Sequence, residues 1–411
     1  MPILSNEASQ IRIPQMHPVK QIFPNQRLSD IAGAVRSEIA RQDIRDTIKP
    51  GQSVAVLVGS RGIASLAEIV KHTIATIKDM GAEPFIVPAM GSHGEGDAEK
   101  QQEIIEGYGV TESYTGAPIR SSMETIVVGY TSGGIPVHVD KTAAAADAIV
   151  PVARVKVHTD FDAPIESGLC KMLAIGAGKH NGCSRLHMEG FVNFPRIIPE
   201  VASVILENVN IAFGIAIIEN AHEYVHSIHA VRGTDFLSKE ATLLTLSRSL
   251  MPRLQFDEID VLIVERIGKD ITGAGMDPNI TGRTSVGRIK DFSGPSVKRI
   301  VVFDLSPGSH HNATGIGCAH YTVKRLFDKI DLMATYANCI ASGNPEAGRI
   351  PIMMDSEDDA IRAAISTATG ADITAPKIVR IQDTLHLINI QVSDALYEQC
   401  ASDTERFSVI E

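Results

Sequence analysis

Apolar positions recur along this chain in two rhythms, helical and strand-like, that alternate. From Ser29 to Ile48 the residues Ile31, Ala32, Val35, Ile39 and Ile44 fall at helical spacing, with Ser29 placed to cap the helix. Pro50-Gly51 then breaks the pattern ahead of SVAVLV, a β-branched run suited to a buried strand. The spacing predicts an amphipathic helix over Ser65 to Met80, closed by Gly81. EPFIVPAM predicts the next strand and Asp97 to Tyr108 a polar helix. Both strands end in a polar residue flanked by glycine, Arg61 in GSRG and His93 in GSHGEG. TIVVGYTSGGIPVHVD reads as a hairpin turning at Ser132-Gly133-Gly134, and DAIVPVARVKVH as a third buried strand that delivers His158. Helices are expected over Glu166–Ile175, Ile197–Asn208 and Thr234–Ser249, with GIAIIEN and YVHSIHAV as paired strands between the last two.

The pattern breaks at MPRLQFD, and a second α/β series begins. Its strands are IDVLIVERIG, VKRIVVFDL, RIPIMM, VRIQ and LHLINIQV, with helices over Tyr321–Asn338 and Ser356–Thr369. The fold class is therefore α/β: two α/β domains, residues 1–255 and 256–411, with an active-site cleft between them and the last helix able to pack back on the first domain. Open parallel sheets bind ligands beyond the carboxyl ends of their strands, where Arg61, His93 and His158 are expected.

Charge and cysteine content narrow the classes. The balance of 38 basic against 49 acidic residues gives a net charge of −11, which argues against an electrostatic nucleic-acid footprint. A small anionic substrate remains compatible, because a local basic cluster can reverse the field inside a cleft. The five cysteines show no CxxC spacing, so neither a disulfide framework nor a zinc knuckle is suggested, and a cytoplasmic setting is expected. The first residues carry no basic region followed by a long apolar run, and apolar runs such as Ile211–Ile218 suit buried strands. No membrane partner is expected; homo-oligomerisation is left open.

Two motifs mislead. His222-Glu223-Tyr224-Val225-His226 matches HExxH, which holds zinc only on a helix, whereas these residues alternate like a strand. IGAGKHNG suggests a phosphate loop, but Met172 stands where its first glycine belongs and His180 where the magnesium-binding Ser or Thr belongs. No GxGxxG opens a helix after a strand, so a dissociable nicotinamide site has no support.

Val155 to His187 is the chemically dense stretch, with Lys171, Lys179, His180 and His187 following His158. Imidazole accepts and returns protons near neutral pH and also ligates nickel or zinc. Two histidines on separate strand ends could flank one substrate carbon from opposite sides, as a racemase requires.

The order of these features resembles the lactate racemase family, whose members carry a nickel-pincer nucleotide. The resemblance rests on the Arg loop VGSRGIA, on AMGSHGEGDAEKQQEIIEGYG, on VKVHTDF, and on Lys171 followed 16 residues later by His187. It spans about the first 210 residues well and the remainder in outline. It implies that His93 and His158 are paired acid/base residues, that Lys171 holds the cofactor, and that Ser60 and Arg61 contact cofactor or substrate. It also implies that His187 ligates nickel beside the pincer's sulfur, carbon and sulfur donors; His180 competes for that place.

The implied function is racemisation or epimerisation of a 2-hydroxy acid by proton-coupled hydride transfer to the nickel-pincer nucleotide. A resident carrier would also account for the missing dinucleotide fingerprint. The alternatives are a dehydratase or other isomerase using the same site, and a non-catalytic nucleotide- or anion-binding protein of the same fold. The chain departs from the family in Gly168-Leu169-Cys170-Lys171, where the family has Gly-Gly-Arg-Lys, which puts a covalent link in question. The glycine-rich loop Ile267 to Arg283 supplies Lys269, Asp270, Asp277, Asn279 and Arg283 as candidate substrate-binding residues and points to a substrate more polar than lactate.

Overall fold

The structure is a computed structural model that describes residues 4–60, 62–285 and 294–410. The chain divides into two compact units, Asn25–Met251 and Met1–Pro24 with Pro252–Glu411. Its first strand, β1 (Met16–Gln21), belongs to the second of these.

In unit Asn25–Met251 the main sheet consists of β2 (Ser53–Val58), β3 (Glu83–Pro88), β6 (Ala148–Arg154), β7 (Phe213–Glu219) and β8 (Val225–Arg232), in the order β3-β2-β6-β7-β8. All its pairings are parallel except that of β7 with β8. The hairpin β4 (Thr125–Tyr130) and β5 (Pro136–Asp140) stands apart as a two-stranded ribbon. Strand β2 buries every residue from Val54 to Val58, which is why its sequence is a continuous apolar run rather than an alternation. Helix Leu66–Asp79 lays Ile69, Val70, Ile74 and Ile77 into the same core, each such side chain contributing about 2 kcal/mol of burial. Helix Ile31–Ala40 is capped by Asp30, not Ser29: the Asp30 carboxylate accepts from the Gly33 amide at 2.7 Å.

The expected helix over Glu166–Ile175 is different in kind. One α turn, Leu169–Lys171, passes into a π turn, Met172–Gly176, with the Ala177 amide donating to the Met172 carbonyl at 2.8 Å. The π turn brings Gly176 against the end of β3, where a Cβ would stand 2.7 Å from the Ala89 carbonyl oxygen. In HEYVH, His222 and Glu223 lie in a turn, Glu223 has φ 59°, and the strand starts only at Val225. The single-face alternation expected from His222 onward is thus absent, as is a helix.

The second unit carries β9 (Glu258–Ile267), β10 (Ser296–Leu305), β11 (Tyr321–Val323), β12 (Ile352–Met354), β13 (Ile378–Ile381), β14 (Asn389–Ser393) and β15 (Phe407–Val409). With β1 they form one sheet in the order β12-β11-β10-β9-β13-β14-β1-β15. Pairing is parallel from β12 to β13 and antiparallel beyond. The N-terminal strand, read in sequence with residues 1–255, is paired with β14 and β15. Its buried Gln21 also donates to the carbonyls of Arg253 and Leu387, at 3.1 and 2.7 Å. Tyr321–Val323, expected to open a helix, is a buried strand because its backbone pairs with β10 on one side and β12 on the other. The helical part is split into Lys324–Phe327 and Leu332–Ala341. Among the described residues no helix is long and apolar enough to cross a membrane.

Candidate functional site

The site residues expected from Ser60 to His187 belong to unit Asn25–Met251: Ser60, His93 and His158 lie on segments that follow the carboxyl ends of parallel strands, and Lys171 and His187 on helical turns. Ser60 follows β2 and His93 follows β3, and the Ser60 hydroxyl meets His93 Nδ1 at 2.5 Å. The Tyr108 hydroxyl holds the Ser60 carbonyl at 2.9 Å. Arg61 lies outside the described residues. The His93 loop passes close to the His187 helix, Lys179–His187, through Gly91. That residue has φ +64°, and a Cβ there would lie 3.0 Å from the Cys183 sulfur.

His158 sits four residues past the end of β6, almost fully buried and stacked on Phe161 with ring centroids 4.4 Å apart. Its Nδ1 accepts from the Asp160 amide at 3.0 Å, so a neutral ring carries its proton on Nε2. The Asp160 carboxylate lies 3.6 Å from the same Nδ1. The loop is held by Glu166, fully buried, which accepts from the His158 amide at 2.5 Å and from Arg248 at 2.7 Å.

Lys171 ends the α turn that begins after Gly168. The start of that turn is capped by Glu240, whose Oε2 accepts from the Cys170 amide at 2.8 Å. Glu240 is fully buried, its Oε1 has no hydrogen-bond partner among the described residues, and burial pushes its carboxyl up to about 7. A Cβ at Gly168 would lie 2.6 Å from Glu240 Oε1, so a larger residue there would have to displace the Glu240 carboxylate. Burial and the Glu240 charge push the Cys170 thiol far up, so it is an inert neighbour rather than a nucleophile.

His187 donates from Nδ1 to the Cys183 carbonyl at 2.7 Å, which leaves Nε2 as the nitrogen with a lone pair. The Cys183 sulfur is 3.5 Å from the same Nδ1 and 3.6 Å from the Ser92 hydroxyl. Burial works against a charged His187, but the Cys183 sulfur and carbonyl outweigh it and raise its pKa; the nearby Lys171 cation opposes them. Burial likewise pushes the Cys183 thiol up, and the His187 and Ser92 contacts carry it below its ordinary value. Phe191 links the two imidazoles, with ring centroids 5.9 Å from His158 and 5.6 Å from His187, and Phe194 flanks His187 at 5.3 Å.

Contacts therefore run unbroken from His93, through Ser92, Cys183, His187 and Phe191, to His158, with Lys171 near enough to act on His187. The competing groups are placed elsewhere. Lys179 is fully buried with its ammonium on the Pro88 carbonyl, and His180 is exposed, with its Nε2 3.5 Å from the Ser184 hydroxyl. Among the described residues no three His, Cys, Asp or Glu side chains group as a metal-binding set. A nickel pincer brings three donors of its own, so the test of fit is one oriented imidazole with a cation nearby, and His187 with Lys171 meets it.

The remaining candidates lie in the other unit, at the carboxyl edge of its parallel strands. The Lys269 ammonium donates to Asn338, and Asp270 accepts from Ser306. Asp277 accepts from the Asn279 amide and side chain, both at 2.8 Å, and its own amide donates to Thr384 at 3.0 Å. Arg283 reaches His320 Nε2 at 2.8 Å, and burial, with Arg283 and Arg299, lowers the His320 pKa to about 4. These residues knit their own loop to its neighbours. Sequence reasoning missed Glu166, Glu240, Gln101, Cys183 and the Phe191–Phe194 pair. Only Cys183, four residues before His187 on one helix face, had a local signal.

Residues 5–196 match the family model described as the lactate racemase N-terminal domain. Two solved structures are similar. The lactate racemase apoprotein from Thermoanaerobacterium thermosaccharolyticum is 12% identical with a TM-score of 0.50, over 90% of this chain and 89% of that one. A structural-genomics protein from Thermotoga maritima is 13% identical with a TM-score of 0.52, over 83% of this chain and 92% of that one. At such identities the likeness is one of fold. No curated protein matches the chain.

Proposed function

Because residues 5–196 match the family model described as the lactate racemase N-terminal domain, we propose that this protein is an isomerase, a racemase or epimerase acting at the hydroxyl-bearing carbon of a 2-hydroxy acid. The observation that carries the reading is the contact path joining His93, His187 and His158, with Lys171 alongside.

His187 would ligate nickel through Nε2, Nδ1 being committed to the Cys183 carbonyl. Lys171 would hold the cofactor, by charge or covalently. When bound, a nickel-pincer nucleotide supplies a reversible acceptor for the hydrogen on the carbinol carbon. The chain's own part is the proton: one imidazole takes the hydroxyl proton as the carbinol carbon becomes a planar 2-oxo centre, and either imidazole returns a proton to the oxygen. His158 would face the substrate oxygen through Nε2, because the Asp160 amide occupies its Nδ1, and Phe161 fixes the plane of the ring. Ser60 orients His93, and the cofactor-contact role expected of Ser60 and Arg61 is part of the same proposal. Lys269, Asp270, Asp277, Asn279 and Arg283 remain the proposed binding residues for the polar groups of the hydroxy acid.

The test is production in a host able to make the cofactor, followed by nickel and zinc analysis per chain and chiral chromatography of a panel of 2-hydroxy acids. Nickel near one per chain, lost in His187→Gln, and stereochemical exchange, lost in His93→Ala and His158→Ala, are the expected results. Stoichiometric cofactor without exchange on any hydroxy acid would favour a non-catalytic binding protein. Neither nickel nor exchange would end the proposal.

A further inference from the structure

Among the described residues without an assigned chemical role, Asp140, Lys179 and Gln101 form a polar cluster, none of which has any solvent exposure. Lys179 opens the His187 helix in the left-handed region, at φ 51°, a conformation a lysine adopts only when its surroundings demand it. Its ammonium donates to the Pro88 carbonyl at the end of β3 and to Gln101 Oε1 at 3.3 Å, and lies 3.4 Å from Asp140 Oδ2. Burial lowers the Lys179 pKa and raises that of Asp140, each opposed by the other's charge.

Gln101 carries the contact onward. Its Nε2 donates to the Gly91 and His93 carbonyls, each at 3.0 Å. The amide has one accepting end and one donating end, and only the accepting end can face an ammonium. Lys179 therefore holds the accepting end of Gln101 while its NH₂ group is presented to the two carbonyls of the His93 loop. An apolar pair of similar volume would hold the fold as well as a buried ion pair does, but it would take from the buried Gln101 Oε1 the ammonium that anchors it and so loosen the side chain that bridges to the His93 loop.

We propose that Lys179 is a positioning residue: through Gln101 it fixes the backbone around His93 relative to the helix that bears Cys183 and His187. The inference rests on the acid/base role proposed for His93, and its test reads the His93 ring itself rather than turnover.

The experiment uses the full chain with ¹⁵N-labelled histidines and backbone amides. Lys179→Met is combined with Asp140→Asn, so that no charge is left buried alone and the Asp140 cap on the Ala143 amide is kept. Gln101→Leu removes the two donors by another route, and Ile105→Val, a buried truncation on the same helix, is the control. The double variant and Gln101→Leu should displace the His93 ring nitrogens and the Ser92–Gly94 amides in the same sense. They should leave the His158 ring in place and add nothing when combined. Ile105→Val should lower Tm without moving the His93 signals. If the Lys179 and Gln101 variants lower Tm like the control while His93 stays unmoved, the residue is merely structural and the proposal falls. Should the double variant fail to fold, Gln101→Leu alone decides the outcome. Displaced His93 signals in a protein that exchanges no hydroxy acid would retain the positioning role and discard the racemase reading.

Discussion

Glu240 gives the sharpest quantitative expectation. Its carboxyl is fully buried, its Oε2 accepts from the Cys170 amide at 2.8 Å, and Oε1 has no partner among the described residues. Burial raises its folded pKa from 4.5 to about 7. The folded chain thus holds a proton that the unfolded chain releases between these values. The contribution is fully present below pH 4.5 and is lost as pH rises through about 7. At about 1.4 kcal/mol per pH unit, the displacement from 4.5 to about 7 amounts to about 3 kcal/mol of lost stability, an order-of-magnitude figure. Glu240→Gln keeps the acceptor for Cys170 but cannot ionise. The difference in stability between variant and wild type should therefore move in the variant's favour by about 3 kcal/mol between pH 4.5 and pH 8. The assay is urea unfolding followed by circular dichroism across that range, with hydrogen exchange identifying the transition of unit Asn25–Met251. A difference that stays constant with pH would refute the reasoning, because it would mean that Glu240 ionises alike in both states.

Three further outcomes are expected. Arg248→Met removes a charged donor from the buried Glu166; because Arg248 is itself 46% exposed the cost should be modest, about 1–2 kcal/mol, with faster exchange of the amides from His158 to Ala163 as the readout. Gly91→Ala forces a positive φ on alanine and sets a Cβ 3.0 Å from the Cys183 sulfur, so it should cost about 1–3 kcal/mol of stability and shift the Cys183 and His187 resonances; no shift would mean that the loop relaxes away from the helix. Phe161→Leu removes the ring stacked on His158 and should cost about 1 kcal/mol or more while changing the titration of His158, and an unchanged titration curve would deny Phe161 any hold on that imidazole.

Much of the fold was legible in the amino-acid sequence for a local reason. Strands β2, β3 and β6 and the middles of β9 and β10, Val261–Val264 and Ile300–Phe303, are buried on both faces, so each had to be an apolar run, and the segments that follow β2, β3, β9 and β10 are rich in glycine and polar residues. His93 stood out because glycines flank it at a strand end. Tyr321–Val323 did not, since three residues are too few to display a period, and their strand character comes only from the neighbours β10 and β12.

What composition and periodicity determined, then, was the α/β class, the strand ends and the residue types gathered there. Tertiary structure alone decided that Lys179 is sealed in the interior while the Lys171 charge acts on His187. It alone joined β1 to β14 and β15, and it alone brought Glu240 to Cys170 across 70 positions and Gln101 to Lys179 across 78. The physical reason is that burial and hydrogen-bond partnership belong to pairs of surfaces folded together, whereas a local pattern records only which face of an element avoids water.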